Sequence, residues 1–227
     1  MKNEDGFFSL LWVNFCVGLK NFITFCKDVF RYWRNYRFMK CDIRLLASYV
    51  GSSPYRISKI YLQHQGFEEI YAYGETPLEV MENISRECGI GSKDVFFDLG
   101  CGRGRGCFWM REFIHCQVVG IDFIPDFIEV AKLVAQKCGI QQISFRWEDY
   151  IRSDLSEATV IYYYGICSSD EEVERLTEKF NKLRAGTKVI TVSFNLNSEE
   201  FSLVKVFPVT FVWGKTDVYY QVKSGAL

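Results

Sequence analysis

Polar and apolar positions change period along the chain, and the changes divide it. Phe7 to Leu19 is almost wholly apolar. From there Lys20, Thr24, Lys27, Asp28, Arg31, Arg34 and Asn35 recur at helical spacing, while Phe22, Phe25, Cys26, Val29, Phe30 and Trp33 fill the other side. This spacing predicts an amphipathic helix. Cys41 to Gly66 reads as two short helices parted by Ser52-Ser53-Pro54, with Pro54 suited to a first helical turn. A loop over Tyr71 to Pro77 follows. It places Thr76 as N-cap and Pro77 at the first position of a helix to about Cys88, with Glu79 completing a capping box.

Beyond Val95 the period alternates between that of a strand and that of a helix. Strands are predicted at Val95 to Leu99, Cys116 to Ile121, Ile143 to Trp147, Thr159 to Tyr163 and Thr187 to Phe194, with helices at Pro125 to Lys137 and Asp170 to Leu183. That rhythm implies an α/β fold: a Rossmann-like parallel sheet with helices on both faces and ligands at the carboxyl ends of its strands. The last forty residues break it. Leu203 to Trp213 and Thr216 to Lys223 read as an antiparallel hairpin turning at Gly214-Lys215. The chain therefore divides into a helical N-terminal extension, residues 1–70, and a ligand-binding domain, residues 71–227.

Composition narrows the partners. At 227 residues, 48% apolar and 17% aromatic, the chain can bury one large core. Its net charge of −1 gives no reason to expect nucleic acid. Residues 1–40 nevertheless carry seven basic groups against three acidic ones, +4, which leaves −5 for the rest. A basic, aromatic helix on an acidic protein suits peripheral contact with an anionic membrane through residues 7–40, or a lid or interaction helix. The apolar run is shorter than the ~20 residues of a membrane span, and the leader lacks the basic character of a secretory signal. Nine cysteines without a Cys-x-x-Cys pair, and only His64 and His115, leave little for a disulfide framework or a metal site. A reduced, intracellular, cytoplasmic setting is the simplest reading.

The chemistry concentrates at Asp98-Leu99-Gly100-Cys101-Gly102-Arg103-Gly104. Gly100, Gly102 and Gly104 can take positive φ and let the backbone approach a ligand. A dinucleotide turn has its third glycine one place later and receives a pyrophosphate, which Asp98 would repel. S-adenosylmethionine has no phosphate and carries an ammonium that a carboxylate can reach. Asp122, ending the next strand, can accept from both ribose hydroxyls. Asp149, ending the third, can accept from an adenine amino group, and Tyr150 offers a ring for stacking. On the fourth strand alternation puts Tyr162 and Tyr164 on one face and Tyr163 on the other. No Asp/Asn-Pro-Pro-Tyr or Pro-Cys motif points to a nucleobase acceptor.

Tyr73-Gly-Glu-Thr-Pro-Leu-Glu-Val-Met and Asp94-Val-Phe-Phe-Asp-Leu-Gly-Cys-Gly resemble the core of the non-SET lysine methyltransferases of the disruptor-of-telomeric-silencing type. Val160-Ile-Tyr-Tyr-Tyr-Gly, Glu172-Val-Glu-Arg-Leu and Phe180-Asn-Lys-Leu-Arg-Ala-Gly recur at similar spacing. The mitochondrial lysine methyltransferases of the ATP-synthase c-subunit are similar too, with an apolar N-terminal segment of their own. The resemblance covers about residues 71–220. It implies a class I methyltransferase fold, a protein substrate, and cofactor contacts at Tyr73, Thr76, Asp98, Gly100, Gly102, Asp122, Asp149 and Tyr150. It departs at Tyr164-Gly165, where the histone enzymes carry asparagine, and in lacking their nucleosome-binding basic tail. Cofactor use carries over; histone specificity does not.

The leading expectation is therefore an S-adenosylmethionine-dependent N-methyltransferase of protein lysine, with Tyr73 and Tyr164 lining the acceptor channel and no metal. A small-molecule or RNA acceptor, or a catalytically silent adaptor that keeps the cofactor, stands beside it.

Overall fold

The computed structural model describes residues 23–67, 69–70, 73–165 and 169–225. The apolar run at Phe7 to Leu19, the loop start at Tyr71, and Ile166 and Cys167 after the fourth strand lie outside them. The chain falls into two compact units, residues 1–39 and 40–227. In the first, residues 23–32 form helix α1. The Asn35 side chain accepts the Phe38 N–H at 3.0 Å and starts α2 (Tyr36–Ser48). Among the described residues no helix is long and apolar enough to cross a membrane.

In the second unit α2 is followed by α3 (Pro54–His64), whose N-cap Ser53 accepts from Arg56 N–H and whose first residue is the expected proline. Then come α4 (Leu78–Glu87), β1 (Val95–Leu99), α5 (Arg105–Trp109), which continues as a π-helix over Met110–Ile114, and β2 (Gln117–Asp122). α6 (Pro125–Cys138), β3 (Ile143–Trp147), β4 (Val160–Tyr163), α7 (Asp170–Phe180), β5 (Lys188–Val192), β6 (Phe201–Phe211) and β7 (Gly214–Lys223) complete it. The seven strands form one sheet in the order β3-β2-β1-β4-β5-β7-β6, parallel from β3 through β5, with β7 and β6 antiparallel.

The parallel strands β1, β2, β4 and β5 are buried along most of their length, as covered sheets require, while the edge strand β3 is largely not. On one face Leu176 and Phe180 of α7 pack with Phe97, Ile161 and Val189. On the other, Asp98 stands in register between Gly120 of β2 and Tyr162 of β4. The order of connection reverses between β1 and β4, and ligand crevices of open α/β sheets form at such a point.

Two local expectations give way. α4 starts at Leu78 with Pro77 as its cap, and no side chain closes a capping box. The Thr76 hydroxyl is bound to that of Tyr162 instead, at 2.6 Å, while the Pro77 carbonyl accepts from Val80 and Met81. The hairpin turns at Val212-Trp213, because Phe211 pairs with Gly214 and Thr210 with Lys215. Trp213 is pinned there by stacking on Phe211 at 5.5 Å and by donating Nε1–H to the Tyr164 hydroxyl at 2.7 Å.

Candidate active site

The turn leaving β1 takes positive φ at Gly100 (78°), Gly102 (53°) and Gly104 (79°), a conformation that glycine adopts without steric cost. It is tied to the neighbouring strand. Gly100 and Cys101 N–H donate to the Ile121 carbonyl at 2.8 and 3.0 Å. The Asp122 carboxylate accepts Gly102 N–H on Oδ2 at 2.8 Å and Ile124 N–H on Oδ1 at 2.9 Å. Burial raises its pKa to about 6 against the pull of those N–H donors.

A cleft partly open to solvent lies against this turn. Asp98, Gly100, Gly102, Thr76 and Tyr164 line it, together with Glu75, Arg103 and Tyr162. Asp98 is buried, and the Cys107 thiol donates to its Oδ2 at 3.3 Å. Burial lifts its pKa to about 7, with the Asp122 charge adding to the rise. A Cβ on Gly100 would meet nothing within 4 Å, so that glycine faces open space. The Tyr164 ring lies over Gly74 and stacks on Phe211, centroids 4.7 Å apart and 7° from parallel.

The other expected residues stand elsewhere. Tyr73 backs the cleft: its hydroxyl donates to Glu75 at 2.6 Å, and its ring covers Gly102 and packs on Tyr55 and Phe127. Gly104 is required by packing, since a Cβ there would fall 2.6 Å from the Phe145 ring. Asp149 is exposed and accepts Ile151 N–H at 2.9 Å. The Tyr150 hydroxyl is bound to Glu172 and Tyr163 at the end of β4. Neither residue is among those lining the cleft.

Sequence reasoning missed the charged pairs around the turn. Arg103 pairs with Glu75, and Arg105 forms a two-pronged pair with buried Asp42 of α2 at 2.7 and 2.8 Å. From the helical region before residue 70, Tyr49 meets Arg103 of the same turn and Tyr55 packs on Tyr73 behind it. The available signal was two arginines inside a turn that receives no phosphate, and an isolated acid, Asp42, in a basic stretch.

Comparison with known proteins agrees with this geometry. Residues 98–202 match the family described as the ANTKMT methyltransferase domain. The crystal structure of an RNA methyltransferase from Salinibacter ruber in complex with S-adenosyl-L-homocysteine superposes with a TM-score of 0.58 at 25% identity, covering 68% of this chain and 96% of that one. The chain carries a class I methyltransferase domain. Its cofactor is S-adenosylmethionine, and the residues suit it: a buried carboxylate for an ammonium, and a glycine turn that leaves room beside that carboxylate. The methyltransferase is also 29% identical over 173 residues to the histone-lysine N-methyltransferase, H3 lysine-79 specific, of Dictyostelium discoideum, over 69% of this chain and 9% of that protein. A protein-lysine N-methyltransferase of Saccharolobus islandicus is 27% identical over 126 residues, 55% of this chain and 77% of that protein. The methyltransferase thus spans about a tenth of the Dictyostelium enzyme's length.

Proposed function

We propose that this methyltransferase transfers a methyl group to the side-chain nitrogen of lysine in a protein substrate. The observation that carries the reading is the aromatic stack of Tyr164, Phe211 and Trp213, of which Tyr164 lines the cleft that holds Asp98. Lysine methyltransferases among its relatives support the same substrate class.

Bound S-adenosylmethionine supplies a methyl on a sulfonium, which is already a good leaving group. What remains for the chain is alignment and desolvation. A lysine has a reference pKa of about 10.4 and must reach the methyl neutral; a poorly hydrated aromatic wall favours that form. Tyr164 is the wall residue at the cleft, and Tyr73 orients Glu75 behind it. Tyr162 does not act as a base, because burial pushes its hydroxyl well above the usual range and Thr76 engages it. The lysine proton leaves to water.

The experiment is transfer of radiolabelled methyl from the cofactor into a cell extract, digested in parallel with protease and nuclease. A protein acceptor gives label released by protease alone. Label that resists protease and yields to nuclease would remove the reading in favour of RNA.

A separate observation favours membrane contact. Phe30 is 82% and Trp33 62% exposed on the first unit, beside Lys27, Arg31 and Arg34. An apolar stripe flanked by cations suits the interface of an anionic membrane.

A further inference from the structure

Opposite charges meet across the wall of the cleft at Arg103 and Glu75. Arg103 Nη2 donates to Glu75 Oε2 at 2.8 Å, and Nε stands 2.7 Å from Oε1. That Nε–H is not directed at the oxygen, and among the described residues it is a buried donor without an acceptor. The guanidinium carbon lies 5.9 Å from the centre of the Tyr49 ring, which fixes the flat group in place. Arg105 differs: Asp42, 2% exposed, engages it with both oxygens at good geometry. Glu75 is the looser partner. It belongs to the loop before α4, and its side chain is 24% exposed.

The amino-acid end of the cofactor is a zwitterion, with an ammonium and a carboxylate on one carbon. A receptor for it needs an acid and a base a few ångströms apart. Asp98 is the acid. Arg103, on the same glycine turn and lining the same cleft, is the base with donor capacity left. Resting on S-adenosylmethionine as the cofactor, we infer that the Arg103 guanidinium receives the cofactor's carboxylate, and that Glu75 is the resident carboxylate it displaces. Exchanging one carboxylate for another keeps a buried guanidinium neutralised in both states, which avoids the cost of an unpaired buried charge. Guanidinium and carboxylate match in a planar, two-pronged fit that Lys cannot copy. Displacement also frees Glu75 from one of its two partners, leaving the Tyr73 hydroxyl.

Two ligands separate this role from a structural one. S-adenosylhomocysteine carries the amino-acid end; 5′-methylthioadenosine lacks it. Calorimetry on the full chain should show Arg103→Met weakening S-adenosylhomocysteine by about 10- to 100-fold, the loss of a charge-assisted pair, with 5′-methylthioadenosine within about twofold of wild type. Glu75→Gln, a weaker competitor for Arg103, should tighten S-adenosylhomocysteine by roughly three- to tenfold and leave 5′-methylthioadenosine unchanged. Equal loss of both ligands in Arg103→Met, or loss of neither, would overturn the assignment. Weaker S-adenosylhomocysteine binding in Glu75→Gln would overturn the exchange. Wild-type protein that binds neither ligand would remove the cofactor itself, a failure distinct from these.

Discussion

The Asp122 carboxylate holds the Gly102 N–H at 2.8 Å, so the acid that ends β2 fastens the turn that leaves β1. Its other oxygen fastens the start of α6 through Ile124. Asp122 is thus a structural clamp between the turn and α6.

Asp122→Ala leaves two backbone donors without their acceptor, at ~1–3 kcal/mol for each one that stays buried. Stability to urea and affinity for the cofactor should both fall, and Asp122→Asn, which keeps an acceptor, should lie between. A urea midpoint unchanged in Asp122→Ala would contradict the clamp.

Asp98 gives the methyltransferase a pH dependence with a fixed sign. Its folded pKa is raised from 3.8 to about 7 by burial, with Asp122 adding to the rise, and an ammonium beside it favours the ionised form. Cofactor affinity should therefore rise from about pH 6 to pH 8, with release of a proton that calorimetry in buffers of different ionisation enthalpy detects. Stability runs the other way. A raised folded pKa contributes stability that is fully present below the unfolded value and is lost as pH rises through about 7. Asp98→Asn should melt higher than wild type at pH 8 while losing the cofactor. Affinity independent of pH would show that Asp98 does not meet the ammonium.

Gly100 and Gly104 share a backbone conformation and differ in surroundings. Alanine at either pays ~1–2 kcal/mol for the left-handed conformation. At Gly104 it also collides with Phe145, adding ~1–3 kcal/mol of overpacking. At Gly100 the methyl points into open space beside the cleft. Gly104→Ala should be the less stable protein, and Gly100→Ala should lose more cofactor affinity per unit of stability lost. Thermal melts with calorimetry on both variants decide it; equal behaviour would mean the cofactor does not approach Gly100.

The aromatic wall predicts a split between ligands. Tyr164→Ala removes the ring stacked on Phe211 and the acceptor for Trp213. Its cofactor affinity should stay within about twofold, and transfer to the protein acceptor should fall by ~10-fold or more, a loss of about 1.4 kcal/mol in transition-state stabilisation. Parallel loss of both would place Tyr164 in the cofactor site instead.

For the first unit, Phe30→Ser with Trp33→Ser should abolish flotation with vesicles containing anionic lipid while leaving methyl transfer to a soluble peptide intact. Flotation equal to wild type would remove the membrane contact.

How much of this was legible follows from how far apart the partners lie in the chain. The strand Val95 to Leu99 that carries Asp98, the positive-φ glycines and Pro54 at a helix start are local matters of period and turn chemistry, and they stand where the pattern puts them. Thr76 looked like a cap because its neighbours are a proline and a glutamate; its actual partner, Tyr162, is 86 residues away. Gly214-Lys215 looked like a turn because glycine usually marks one, whereas the turn was set by Trp213 reaching Tyr164, 49 residues back. The pairs Arg103 with Glu75 and Arg105 with Asp42 close over 28 and 63 residues. Periodicity carries no information about such partners, so the cofactor turn was readable while the charged pairs around it were not.

The proposed acceptor atom is the side-chain nitrogen of lysine. Labelled protein from the transfer reaction, hydrolysed to amino acids, tests it most directly, with Asp98→Asn as the reference. Wild type should place label in ε-N-methyllysine, and Asp98→Asn should place none. Label from wild type in any other amino acid, or in nucleosides, would contradict the lysine acceptor.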